Sequence, residues 1–277
     1  GRTAGILAGL PQSVPGFAID RMCAGAMTAV TTTGSGIGIG AYDMVLAGGV
    51  EHMGRHPMGF DADPNPRFLA EKLVSPDALN MGNTAEKIHD RFPHLTKERV
   101  DAFAVGSQQK AAQAYKDGKI QKDLIPVSAA TAEGWNLVTQ DELLRPDSTI
   151  EGMKDLKTPF RPHGKVTAGN ASPLTDGATI ALLASGDAVK KHNLAPRMKM
   201  VSFGFAGVEP EIMGIGPIPS TEKALEKAGL TIDDIGLFEL NEAFAVQVLS
   251  FLDHFGIADD DERVNKYGGA IAFGHPL

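Results

Sequence analysis

Apolar and polar positions alternate in PGFAIDRM, where the spacing of Phe17 and Ile19 predicts a short strand running into Cys23. A Pro-free run of small residues from Ala24 to Gly40 predicts a helix. Glycines at 34, 36, 38 and 40 each cost up to about 1 kcal/mol relative to Ala in an exposed helix. The helix is therefore expected to pack closely on more than one side, as a layer buried between sheets. MVLAGGVEHM predicts a buried strand closed by a tight turn at Gly48 and Gly49. From Gly54 to about Glu133, Pro57, Pro64, Pro66, Pro76 and Pro93 interrupt short helical patterns and mark an excursion from the core. Within it, Asn83 to Glu86 has the spacing of a helix N-cap with Glu at N3. Thr96 is placed to cap a longer helix, with Val100, Phe103, Ala104, Ala111 and Tyr115 at helical spacing and Gly118 as its stop. Farther on, DGATIALLAS reads as a buried strand, Ser220 to Gly229 as an amphipathic helix, IGLFEL as a strand and Glu242 to Phe255 as an apolar helix. Strand-to-helix transitions at Cys23 and Asn241 imply an α/β fold whose loops gather at strand C-termini.

Composition narrows the function classes. The 277 residues suffice for one large domain or two ordinary ones. A net charge of -8 argues against general nucleic-acid binding, while a local basic patch remains compatible with an anionic ligand. The apolar runs fall short of the roughly 18 residues of a membrane span, and nothing resembles a signal peptide, so a soluble, cytoplasmic protein is expected. The single cysteine excludes an intrachain disulfide framework and a Cys-rich zinc site. The chain opens on Gly1 and stops at Leu277, which reads as a fragment.

Cys23, where strand becomes helix, is compatible with a small buried core residue or with a nucleophile whose thiolate is favoured by free backbone N–H groups and the helix dipole. A nucleophilic cysteine needs a base. His275, between Gly274 and Pro276 in a predicted tight turn, is the candidate, against the alternative of a solvated loop histidine. Asn241 fits a helix N-cap or a rigid amide that positions a water or oxyanion partner. Glu242 fits a first-turn carboxylate or an anchor for a neighbouring loop. His52, His56, His89 and His94 lack metal-ligand spacing, and no metal site is expected. GSGIGIG places its glycines within a helix, unlike a dinucleotide fingerprint. VTAGNAS at Val166 to Ser172 fits a turn or a small-residue surface that a ligand can approach.

Seven motifs in order resemble the thiolase family over essentially the whole chain: MCAGAM around Cys23, GGVEHM at Gly48 to Met53, MGNTAE at Met81 to Glu86, SQQKA at Ser107 to Ala111, VTAGNAS, NEAFA at Asn241 to Ala245, and GGAIAFGHP at Gly268 to Pro276. The resemblance implies a five-layer αβαβα fold of two similar halves with an inserted loop domain. The corresponding division is 1–54 for the N-terminal half, 55–172 for a CoA-binding loop domain, 173–196 for the return to the N-terminal half and 197–277 for the C-terminal half. It further implies that Cys23 is the acylated nucleophile, that His275 activates it, and that Asn241 holds a water completing an oxyanion hole with His275. Arg145 matches a position near the CoA adenine, Ser172 one contacting the pantetheine arm, and Met81 one near the acyl and pantetheine end.

The implied reaction is thiolytic cleavage of 3-ketoacyl-CoA by CoA through an acyl-cysteine, with CoA as substrate and no separate cofactor. Glu51-His52-Met53 and the following HPMG are more similar to degradative 3-ketoacyl-CoA thiolases of fatty-acid β-oxidation than to biosynthetic acetoacetyl-CoA thiolases, which often carry His where this chain has Asn80. The alternatives are that biosynthetic activity and a non-catalytic acyl-CoA-binding subunit. The resemblance also implies a homodimer or tetramer, with a hydratase/dehydrogenase α-subunit as a possible partner. Family members continue into a C-x-G motif whose cysteine serves as acid/base. This sequence has no second Cys, so the expectation is a truncated chain that does not turn over by itself.

Overall fold

The structure, a computed structural model, describes residues 1–60 and 62–277. In chain order its elements are α1 (Arg2–Leu7), α2 (Gly25–Gly38), β1 (Met44–Glu51), α3 (Arg67–Ala70), α4 (Met81–Arg91), α5 (Lys97–Lys116), β2 (Val127–Thr131), β3 (Gly134–Val138), α6 (Ile150–Lys154), β4 (Gly177–Ala184), α7 (Gly186–Lys191), α8 (Pro217–Ala228), α9 (Ala245–Phe255) and α10 (Ala270–Phe273). They form two compact units: one of residues 1–58, 175–200 and 276–277, the other of 59–174 and 201–275.

In the first unit β1 pairs antiparallel with β4, in register from Met44 opposite Ala184 to Glu51 opposite Gly177. The tight turn expected at Gly48 and Gly49 is corrected: both glycines lie within β1, opposite Ile180 and Thr179. Their role is close approach. A Cβ on Gly48 would stand 1.9 Å from the Thr179 carbonyl oxygen, and one on Gly49 would stand 2.9 Å from Ala26 Cβ on α2. The tight packing expected of α2 holds at two of its glycines. Gly34 faces the Met200 and Leu183 side chains and Gly36 faces the Tyr42 ring, whereas Gly38 and Gly40 face open space. Neither strand is buried in the way expected: Val50, Leu46, Ile180 and Leu182 are exposed. Among the described residues, 17–22 form no strand, because β1 takes its ladder from β4 and alternation alone supplies no hydrogen-bond partner.

The second unit holds the hydrophobic core, where Ile88, Val100, Ala104, Leu249 and Leu252 from α4, α5 and α9 pack together. Thr96 caps α5 as expected, its Oγ1 accepting from the Arg99 amide, and Gly118 follows the helix at φ 67°. The cap predicted at Asn83 is displaced to Asn80, whose Oδ1 accepts from the Gly82 and Asn83 amides. Glu86 is consequently inside α4 and buried, accepting from the Lys165 and Val166 amides.

The strand expected in IGLFEL is reduced to one parallel bridge between Phe238 and Val264. Asn265, at φ 42°, leaves the extended conformation, and its side-chain amide replaces the missing strand residue. Its Oδ1 accepts from the Leu240 amide and its Nδ2 donates to the Leu240 carbonyl, both at 2.8 Å.

Candidate active site

Cys23 belongs to the first unit, in a 3-10 turn at Met22–Ala24 that runs directly into α2. Met22 has φ 47°, a left-handed conformation uncommon for a residue with a side chain, and its amide donates to Asp20 Oδ1 at 2.9 Å. The Cys23 side chain is exposed. Desolvation by the protein packed on one side raises its thiol pKa, opposed by a hydrogen bond from its own backbone. The exposed side chain sets aside the alternative of a small buried core residue, and desolvation favours the neutral thiol over the thiolate expected from the helix terminus.

In the second unit three segments converge. Ala171 forms an antiparallel bridge with Phe244, and Leu174 forms a parallel bridge with His275. The Ser172 amide and hydroxyl both donate to the Ala243 carbonyl, at 3.0 and 3.3 Å. The stretch 171–174 thus joins the NEAFA and GHP motifs. Asn241 Nδ2 lies 3.3 Å from His275 Nε2, and the amide donates when the neutral ring carries its proton on Nδ1. His275 is half-buried, and desolvation lowers its pKa. Gly274 before it has φ 100°, which supplies the turn read from the sequence.

Asn241 is not a helix cap. α9 starts at Ala245 after Phe244, and its first amide donates to the Asn170 carbonyl at 2.9 Å. Of the two readings of Glu242, the loop anchor holds. This carboxylate is 1% exposed and accepts from the Ser107 hydroxyl (2.6 Å), Asn265 Nδ2 (2.7 Å) and the Ile271 amide (3.1 Å).

Arg145 is exposed, and its backbone amide donates to Gln108 Oε1 at 2.8 Å. Gln108, Arg145, Ser148, Met153, Pro173 and Ile271 wall a small cavity. Met81, half-buried, is the first residue of α4. Ser107, Gln108, Asp101 and Asn265 had no assigned role in the sequence reading, although Ser107 and Gln108 lie in the SQQKA motif. Asp101 Oδ1 accepts from Asn170 Nδ2 and so shapes VTAGNAS. For Asp101, Ser107 and Gln108, polar residues on the inner side of α5 were the available signal. Among the described residues no group of three or more His, Cys, Asp or Glu could hold a metal, and no helix is long and apolar enough to cross a membrane.

Comparisons with known proteins identify the family and the fold. Residues 1–187 match the family described as thiolase, N-terminal domain, and residues 194–277 match thiolase, C-terminal domain. The chain is 42% identical over 291 residues to a β-ketoadipyl-CoA thiolase of Pseudomonas putida, covering 100% of this chain and 72% of that protein. It is 43% identical over 279 residues to a 3-ketoacyl-CoA thiolase of Idiomarina loihiensis, covering 100% of this chain and 71% of that protein. The crystal structure of human mitochondrial 3-ketoacyl-CoA thiolase matches with a TM-score of 0.88 at 35% identity, covering 100% of this chain and 72% of that one. The fold is the thiolase fold. With both family domains matched in order and relatives above 40% identity covered over more than two thirds of their length, the chain belongs to the thiolase family of acyltransferases.

Proposed function

We propose that this protein cleaves 3-ketoacyl-CoA with CoA, releasing acetyl-CoA and a shortened acyl-CoA, in fatty-acid β-oxidation. The observation that carries the reading is the 3.3 Å approach of Asn241 Nδ2 to His275 Nε2, an amide beside an imidazole on two segments that each bridge to residues 171–174. Cys23 is the nucleophile and His275 the base. The thiol is raised and the imidazole lowered, so both groups rest neutral, and the neutral ring is the form that accepts a proton as the sulfur attacks. Attack at the 3-keto carbon forms the C–S bond. The bond between C2 and C3 then breaks, acetyl-CoA leaves as its enolate and takes the proton that His275 received from Cys23, and the acyl group stays on Cys23. A second CoA thiol attacks that thioester, giving its proton to His275, and the Cys23 sulfur leaves and recovers that proton. Asn241, through a water, and His275 stabilise the developing oxyanion.

Arg145 holds the adenine end of CoA, Ser172 its pantetheine arm and Met81 the region near the acyl group. CoA enters as substrate, with no separate cofactor. A cytoplasmic homodimer or tetramer, with a hydratase/dehydrogenase subunit as partner, completes the reading. The names of relatives such as the β-ketoadipyl-CoA thiolase of Pseudomonas putida favour a second substrate class, 3-ketoacyl chains with a distal carboxylate.

The test mixes the protein with 3-ketooctanoyl-CoA in the absence of free CoA and measures intact mass beside Cys23→Ala. An acyl adduct in the parent and none in the variant is expected. An adduct that survives in Cys23→Ala, or none in the parent, refutes the assignment. Comparing kcat/KM of the full-length protein for 3-ketooctanoyl-CoA, 3-oxoadipyl-CoA and acetoacetyl-CoA then separates the degradative, dicarboxylic and biosynthetic readings.

A further inference from the structure

Three groups from distant parts of the second unit donate to one buried carboxylate. Ser107 Oγ on α5 and the Ile271 amide both reach Glu242 Oε2, at 2.6 and 3.1 Å, and Asn265 Nδ2 reaches Oε1 at 2.7 Å. Carboxylate oxygens accept, so the pair takes all three donors together, and these bonds oppose the burial that pushes the Glu242 carboxyl up. The fit extends to the backbone. The Gly269 amide donates to Ser107 Oγ at 3.1 Å, and a Cβ on Gly269 would stand 2.3 Å from Glu242 Cδ. Gln108 Nε2 adds a hydrogen bond to the Ile271 carbonyl at 3.0 Å. On one side of this junction Glu242 directly follows Asn241. On the other, Gly269 and Ile271 belong to the short stretch that ends at His275.

We propose that Glu242 is a positioning residue for the reaction: it clamps the segment bearing Asn241 to the segment bearing His275 and thereby sets the spacing of that pair. The inference rests on the catalytic reading of Asn241 and His275. Glu242 holds Ser107, Asn265 and the Ile271 amide, so its effect passes through the segment that bears His275. Glu242→Gln keeps the shape but turns one acceptor oxygen into an N–H donor facing other donors, which leaves a buried group unsatisfied.

A double-mutant cycle tests this on single-turnover acylation of Cys23 by 3-ketooctanoyl-CoA. Glu242→Gln is expected to slow acylation by about 30-fold with His275 present and by less than about 3-fold in a His275→Ala background, because residues acting as one unit are non-additive. Equal losses in both backgrounds overturn the proposal, as does no loss with His275 present. Should Glu242→Gln fail to fold by circular dichroism, Ser107→Ala removes one donor and is expected to slow acylation by roughly 5-fold with the same dependence on His275.

A second readout needs no turnover. Glu242→Gln is expected to speed exchange of the Gly269 and Ile271 amides and to shift the His275 ring resonances, with protection of the α5 amides unchanged. Unchanged His275 resonances overturn the proposal even if the parent acylates. If the parent forms no adduct, the proposed function fails and this readout alone decides the positioning role.

Discussion

His89 shows how a single residue couples packing to pH. It is 2% exposed on α4, its Nδ1 lies 2.8 Å from the Leu95 carbonyl, and among the described residues Nε2 has no hydrogen-bond partner. Desolvation, chiefly, lowers its pKa to about 4. Between the unfolded value near 6.5 and about 4, the unfolded chain binds a proton that the folded one does not. The contribution of His89 to stability is therefore fully present above about 6.5 and is lost as pH falls toward 4, to a total of about 3 kcal/mol. Urea unfolding at stepped pH is expected to show this loss, and His89→Leu to flatten it. His275 is shifted in the same direction, also by desolvation. The acid limb of Cys23 acylation is accordingly expected below pH 6.5, and a limb centred above that value contradicts a neutral, desolvated imidazole. Neither direction was legible beforehand. The sequence places a histidine next to Gly and Pro, but desolvation is a property of everything packed around it.

Helices and strands were legible to different degrees. α5, α8 and α9 follow the apolar periodicity, since a helix satisfies its backbone within one segment. Their starts were less secure. Asn80 and Asn83 both precede polar runs that suit a cap, and only the observed bonds to Gly82 and Asn83 amides identify Asn80. Asn80→Ala is expected to cost about 1 kcal/mol by thermal or urea unfolding. Strand assignments failed where no partner existed: residues 17–22 and most of IGLFEL have strand patterning without a ladder, and Asn265 occupies the place of a partner strand beside Leu240. Glycines separate in the same way. Gly49→Ala, with its Cβ forced to 2.9 Å from Ala26 Cβ, is expected to destabilise the first unit by about 1–3 kcal/mol. Gly38→Ala, at the end of α2 facing open space, is expected to stabilise it by about 0.5–1 kcal/mol. Opposite signs from two glycines in one unit, measured by urea unfolding, distinguish close approach from mere smallness.

Across the molecule the two units differ in how much core they carry. α9 is buried along most of its length, with Val248, Leu249 and Leu252 fully inaccessible, while β1 and β4 form a two-stranded sheet with exposed apolar side chains. Local opening follows buried contact density. Amides of Val248 to Leu252 are expected to exchange last with deuterium and those of β1 and β4 well before them, by mass spectrometry of the folded protein. Equal protection would place the stable core elsewhere. The ordered motifs carried family membership, fold and the type of reaction at the scale of the whole chain, because each is a short local string and their order does not depend on packing. The helices with strong periodicity were equally local. Tertiary structure decided which strands find a ladder, which direction the Cys23 and His275 pKa values move, and why the Asn241 segment stays with the His275 segment. In the last case the carboxylate of Glu242 is satisfied by Ser107, 135 residues away in the chain, and by Ile271, 29 residues away. Hydrogen bonds and desolvation act through space between residues remote in the chain, so local patterning does not encode them.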